Sequence, residues 1–187
     1  MKQVDPIKDI AKLRTMKELM FDAAKHREAL LLVVGANAGL RISDLLKLTW
    51  KDVRGDSFTV KEQKTGKTRK VVINAAMREA RERADQGQHD DELVFRSSSN
   101  SAKDGAAWSR NYVWETLKHF AELAGVPGNI GTHTLRKTFG YHLYKNGTPL
   151  EYIQRLLNHS SPVITLRYIG IEQEYLDNAC MDLALGF

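Results

Sequence analysis

Residues 133–168 read HTLRKTFGYHLYKNGTPLEYIQRLLNHSSPVITLRY, and polar residues punctuate this helical pattern at fixed points. His133 and Arg136 stand three positions apart, so one helix face carries both side chains. Thr132 is placed to cap a helix running through Arg136, Phe139 and Leu143 to Gly147. That puts His133 and Arg136 in a first turn, where free N–H groups and the helix dipole favour an anion. Thr148-Pro149-Leu150-Glu151 joins a Thr-x-x-Glu capping box to a proline at the first helical position. The helix it opens runs to Leu157 and Asn158, and His159 follows its end. Ser161-Pro162 opens a further helix carrying Tyr168. Each feature alone has a plain structural reading: an exposed His and Arg, a capping imidazole, a half-buried tyrosine.

Upstream, Ala29 to Ala38 is apolar nearly all round and reads as a buried helix ended by Gly39. Arg41 follows, in Gly39-Leu40-Arg41-Ile42-Ser43-Asp44-Leu45-Leu46, with Ser43 a candidate cap for a short helix through Leu48. An arginine beside such an apolar run needs a partner if buried. Asp44 is one candidate, and a ligand anion is the other. Before this, Ile10, Leu13, Leu19 and Met20, with Ala23 and Ala24, form a helical apolar stripe.

Periodicity then switches. Ser57-Phe58-Thr59-Val60 and Arg69-Lys70-Val71-Val72-Ile73 are β-rich, and Lys64-Thr65-Gly66-Lys67 between them predicts a hairpin with a basic tip. Val53 to Ser57 reads as a turn from an earlier short strand. Ala75 to Ala84 is a charged surface helix, and Leu93-Val94-Phe95 is extended. Residues 97–101 form a loop. Trp108 to Ala124 is a helix ended by Gly125, and Glu172 to Leu185 is a terminal helix. The predicted fold class is α+β and mostly α-helical, with a small antiparallel sheet packed on helices.

The chain has 187 residues, suiting a single domain with a real core. A net charge of +5 fits a polyanionic partner without requiring one. Cys180 is the only cysteine, so neither an intrachain disulfide nor a cysteine metal cluster can form. It reads as a small apolar residue on the last helix. The first residues lack an apolar signal core, and the longest apolar stretch is too short to span a bilayer, so a cytoplasmic location is expected. Gly66-Lys67-Thr68 resembles the end of a phosphate-binding loop, but Lys61 stands where that motif needs glycine. His89-Asp90-Asp91 lacks a second cluster and reads as a solvated loop. No metal and no cofactor are expected.

In chain order the polar set runs Arg41, Lys64, His133, Arg136, His159, Tyr168. This order, with its local contexts, resembles the tyrosine recombinase, or phage integrase, family over about Asp9 to Tyr175. Gly39 to Leu45 resembles its first arginine motif, and Lys64-Thr65-Gly66-Lys67 followed by Arg69 its lysine hairpin. His133 to Phe139 resembles its His-x-x-Arg box. Leu157-Asn158-His159-Ser160-Ser161 and Thr165-Leu166-Arg167-Tyr168 resemble its closing motifs. One departure is Asn158, where the family usually has glycine; asparagine tolerates a left-handed backbone best among other residues. Another is the first motif by residue 41, which leaves no room for the family's usual N-terminal DNA clamp. The expected organisation is one catalytic domain over 1–187.

The resemblance implies a site-specific recombinase acting on double-stranded DNA through a 3′-phosphotyrosyl intermediate. Tyr168 would be the nucleophile, His133 the general base and Lys64 the acid for the departing 5′-hydroxyl. Arg41 and Arg136 would each offer a planar fork to the non-bridging oxygens. His159 would donate a hydrogen bond to the phosphate, and Lys67 and Arg69 would touch backbone phosphates. It also implies assembly to a tetramer on DNA, with the segment after Tyr168 docking on a neighbour, and accessory DNA-binding proteins as possible partners. Two rival readings are a type IB topoisomerase-like enzyme, which would relax supercoils, and a catalytically weak integrase-like DNA-binding regulator.

Overall fold

The computed structural model describes residues 4–97, 105–171, 177–178 and 180–183. It is built around α2 (His26–Ala38), whose Leu30, Leu32 and Val34 are buried, and α1 (Ile10–Asp22) packs against that helix. Gly39 ends α2 with φ 60°, as the sequence predicts. Two short helices follow, α3 (Ile42–Leu45) and α4 (Trp50–Arg54), then a hairpin of β1 (Ser57–Lys61) and β2 (Thr68–Val72). Next come α5 (Ala75–Ala84), α6 (Arg110–Leu123), α7 (Thr134–Lys145), α8 (Leu150–Leu157) and α9 (Pro162–Ile169). The strands pair antiparallel, Ser57 opposite Val72 and Lys61 opposite Thr68. Phe58 and Val71 turn inward to the helices, so the α+β class stands.

Missing side chains let α2 and α7 close together. A Cβ on Gly35 would lie 2.5 Å from Leu135, and one on Gly39 would lie 2.2 Å from the Phe139 ring. On the far face of α7, a Cβ on Gly140 would lie 2.6 Å from Ile169 and 3.0 Å from Leu157. Helix α7 is therefore clamped between α2 and the α8–α9 pair, and its first turn faces the junction. The N-terminal segment closes the same helix from outside. Ile7 N–H donates to Thr138 Oγ1 at 2.9 Å, and the Ile7 carbonyl bonds His142 Nε2 at 2.9 Å.

Several local expectations are corrected. The residues before the hairpin form α4 rather than a strand, because Thr49 and Asp52 make a full capping box. Thr132 does not cap α7; His133 occupies that position without a side-chain cap bond, and Thr134 Oγ1 takes the Gly131 N–H at 3.0 Å. Ser43 lies inside α3, not before it. Pro149, not Thr148, is the N-cap of α8, and no side chain caps it. Ser161 does cap α9, accepting from Ile164 N–H at 3.3 Å. Of the expected terminal helix, residues 172–176, 179 and 184–187 lie outside the described residues, including Tyr175, Leu176 and Leu185. Cys180, Met181 and Leu183 are exposed. Among the described residues no helix is long and apolar enough to cross a membrane, and no group of His, Cys, Asp or Glu is arranged to hold a metal.

Candidate active site

Arg136 anchors the site. It projects from the first turn of α7 and is 3 % exposed. Its Nη1 donates to the Gly39 carbonyl at 2.6 Å and its Nη2 to the Leu157 carbonyl at 2.7 Å. These are carbonyls at the C-terminal ends of α2 and α8, where peptide oxygens lack helical partners and the dipole is negative. Both ends turn left-handed at the next step, at Gly39 itself (φ 60°) and at Asn158 (φ 49°). Asn158 thus adopts the conformation expected of the family's glycine. Part of the arginine fork is spent inside the protein. The same guanidinium hydrogen-bonds the Tyr168 side chain.

Arg41, at the N-cap of α3, is partly exposed. Its Nη1 donates to Glu62 Oε2 at 2.6 Å. Asp44 is therefore not its partner; Asp44 Oδ1 accepts the Gln63 N–H at 3.1 Å. Glu62 is 3 % exposed, and its other oxygen lies 3.9 Å from Arg136 Nη1. Burial pushes the Glu62 carboxyl up, but the hydrogen bond from Arg41 and the charges of Arg41 and Arg136 outweigh it. The group titrates below the usual carboxylate range. One buried carboxylate thus sits between both arginines. The sequence reading missed Glu62, and its position two residues before Lys64 was the one available hint.

Tyr168 is half-buried on α9. Its phenol oxygen lies 3.1 Å from His133 Nδ1. Burial pushes the Tyr168 pKa up, while Arg136 and Arg41 pull against it. Desolvation, then the charges of Arg136, Lys137, Arg41 and Lys64, lower His133 below the usual imidazole range. His133 is therefore neutral near pH 7 and able to accept a proton from the phenol. His159 stacks edge-on to Tyr168, ring centroids 4.8 Å apart. Desolvation, then Arg136 and Arg41, push it down to about 4. Lys137 is 4 % exposed and lies 5.2 Å from the centre of the Tyr168 ring.

The structure gathers Arg41, His133, Arg136, His159 and Tyr168. Lys64 is exposed in the hairpin turn, close enough to act on the His133 titration. The two proposed phosphate contacts part company. Lys67 is exposed and its Nζ donates to Asn158 Oδ1 at 2.9 Å. Arg69 instead turns inward, donating to the Ala38 carbonyl at 2.5 Å and the Leu156 carbonyl at 3.3 Å, over the Phe139 ring. Its expected place at the basic tip is corrected. A cleft of about 360 Å³ opens here, lined by Glu62, Lys67, Gln154, Asn158 and His159 among others. A larger cavity, about 860 Å³, lies beside His26, Trp108 and Tyr112 and contains none of the predicted site residues.

Residues 6–174 match the model of the phage integrase family. The chain is 38% identical over 172 residues to the probable integrase/recombinase YoeC of Bacillus subtilis, covering 91% of this chain and 92% of that protein. It is 28% identical over 174 residues to the tyrosine recombinase XerD of Listeria innocua, covering 87% of this chain but 56% of XerD. The chain thus spans nearly all of the first relative and about half of the second. Its fold matches the crystal structure of XerA recombinase with a TM-score of 0.72 at 18% identity, covering 100% of this chain and 66% of XerA.

Proposed function

Because the chain belongs to the phage integrase family of tyrosine recombinases, we propose that it breaks and rejoins double-stranded DNA at specific sites, with Tyr168 as the nucleophile. The observation that carries this reading is the 3.1 Å contact of Tyr168 Oη with a neutral His133, backed by Arg136 and Arg41. Arg41 and Arg136 bind the non-bridging oxygens of the scissile phosphate. Fixed donors aimed at developing charge supply a large share of such a rate enhancement. His133 takes the phenolic proton as Tyr168 attacks phosphorus. The products are a 3′-phosphotyrosyl linkage and a 5′-hydroxyl, whose oxygen is protonated by Lys64 on the hairpin turn. His159 donates to a phosphate oxygen. The new ester retains the energy of the broken one, so religation by the reverse steps needs no nucleotide hydrolysis.

On this reading residues 1–187 act as a catalytic unit with DNA as partner. Recombination cuts strands in two duplexes, and each cut needs its own tyrosine, so we propose assembly of several protomers on DNA. The test is incubation with nicked duplexes of randomised sequence in EDTA, followed by a denaturing gel. A covalent protein–DNA species that forms without divalent metal and vanishes in Tyr168→Phe is expected. A folded wild type that binds duplex and forms no such species would leave a DNA-binding role instead.

A further inference from the structure

His159 presents two edges to two different surroundings. Its Nδ1 lies 3.1 Å from Oγ1 of Thr165, a side chain on α9 with no exposed surface. The same oxygen lies 3.2 Å from the Ser161 carbonyl. That carbonyl already accepts the backbone N–H of Thr165 at 3.3 Å. A hydroxyl has one proton and can donate it to only one of these partners. If Ser161 receives it, Nδ1 must carry the ring proton, and a neutral imidazole then presents a bare lone pair at Nε2. If Nδ1 receives it, the ring proton sits on Nε2. The carbonyl has a donor without the hydroxyl, whereas Nδ1 has no other partner among the described residues.

The choice decides what His159 can do. Nε2 lies on the ring edge opposite Nδ1, and His159 lines the cleft that also holds Glu62 and Asn158. Arg136 and Arg41 stand close enough to disfavour a positive ring. A neutral ring has one N–H to give. A phosphate oxygen can only accept, so the nitrogen that meets it must carry that proton.

We propose that Thr165 is a positioning residue that sets the tautomer of His159, its hydroxyl donating to Nδ1 and so holding the ring proton on Nε2 toward the phosphate. The proposal rests on the reading of this site as a DNA phosphate site. Its primary test needs no DNA, so the two fail separately.

The test is nitrogen NMR of ring-labelled histidine in the free protein near neutral pH, with His159→Gln assigning the signals. In wild type and Thr165→Ser, Nδ1 is expected at the position of an unprotonated nitrogen, displaced by an accepted hydrogen bond. Thr165→Val is expected to lose that displacement. A wild-type ring protonated on Nδ1, or an Nδ1 signal unchanged in Thr165→Val, overturns the proposal. In the covalent-adduct assay, Thr165→Val is expected to be roughly threefold to tenfold slower, the worth of one hydrogen bond, with Thr165→Ser near wild type. Equal rates for all three would also overturn it.

Discussion

Arg69 and Arg136 grip neighbouring carbonyls of the same two helix ends. Arg69 holds Ala38 and Leu156; Arg136 holds Gly39 and Leu157. The C-termini of α2 and α8 are thereby fastened to each other through two cations, and the site is built across that seam. Arg136 projects toward Tyr168, whereas Arg69 borders the cleft beside His159. Arg69 comes from β2, so the hairpin is tied to the same junction.

We propose that Arg69 acts mainly in stability and Lys67 in DNA contact. Arg69→Met should lower unfolding free energy by about 2 kcal/mol in urea titration, the scale of hydrogen bonds from a charged donor. Lys67→Ala should leave stability nearly unchanged. It should reduce the slope of log affinity against log salt by about 1, the signature of one lost phosphate contact. The opposite pattern would return Arg69 to the DNA surface.

Glu62 carries a pH signature. Its folded-state carboxyl is held below the ordinary value of 4.5, so it contributes stability above that value. That contribution is lost as pH falls through the lowered folded pKa. Glu62→Gln should be less stable than wild type by about 3 kcal/mol near neutrality, since it removes the buried carboxylate that pairs with Arg41 and faces Arg136. The gap between the two proteins should narrow steadily below pH 4.5 in denaturant titrations. A gap independent of pH would mean the carboxylate is not the stabilising form.

Asn158 tests the left-handed end of α8. Its φ of 49° suits glycine, which has no Cβ, and asparagine, whose short polar side chain can hydrogen-bond locally, and it penalises other residues. Asn158→Gly should stay within about 0.5 kcal/mol of wild type, and Asn158→Ala should lose about 1 kcal/mol. Both values are readable from urea midpoints.

His133 should shape the acid limb of the reaction. Its lowered pKa keeps the base form populated as pH falls through 6.5. Adduct formation should therefore stay level through that value and drop only below it. His133→Ala should be slower by about a hundredfold, in the range for a lost general base, and should lack that acid limb. An unchanged profile would remove His133 from the proton transfer.

Much of this site was legible because its residues sit at local signals. Gly39 marks the end of α2, the i to i+3 spacing puts His133 and Arg136 together, and Ser161-Pro162 starts the helix bearing Tyr168. The caps were less legible. Thr132, Ser43 and Thr148 are good capping residues by type, yet α7, α3 and α8 start from His133, Arg41 and Pro149, none of which makes a side-chain cap bond. The helix at Trp50–Arg54 was readable from Thr49-x-x-Asp52, but the β-rich run after it drew the reading toward a strand. Glu62 and Arg69 were hidden for a different reason. Their partners, Arg41, Ala38 and Leu156, are distant in sequence, and only the closed hairpin reveals them. Near Lys64, an acidic residue and an arginine look equally solvent-bound in the sequence.

The most direct measurement is the identity of the DNA-linked residue. Trypsin cleavage after Arg167 releases a C-terminal peptide that begins at Tyr168 and also contains Tyr175. Adduct formed on a nicked duplex would be digested with nuclease and trypsin, and the peptide sequenced by tandem mass spectrometry. A nucleotide phosphate on Tyr168, with a free 5′-hydroxyl on the released strand, is the predicted result. A phosphate on Tyr175 or on any other residue would contradict the assignment of Tyr168 as the nucleophile.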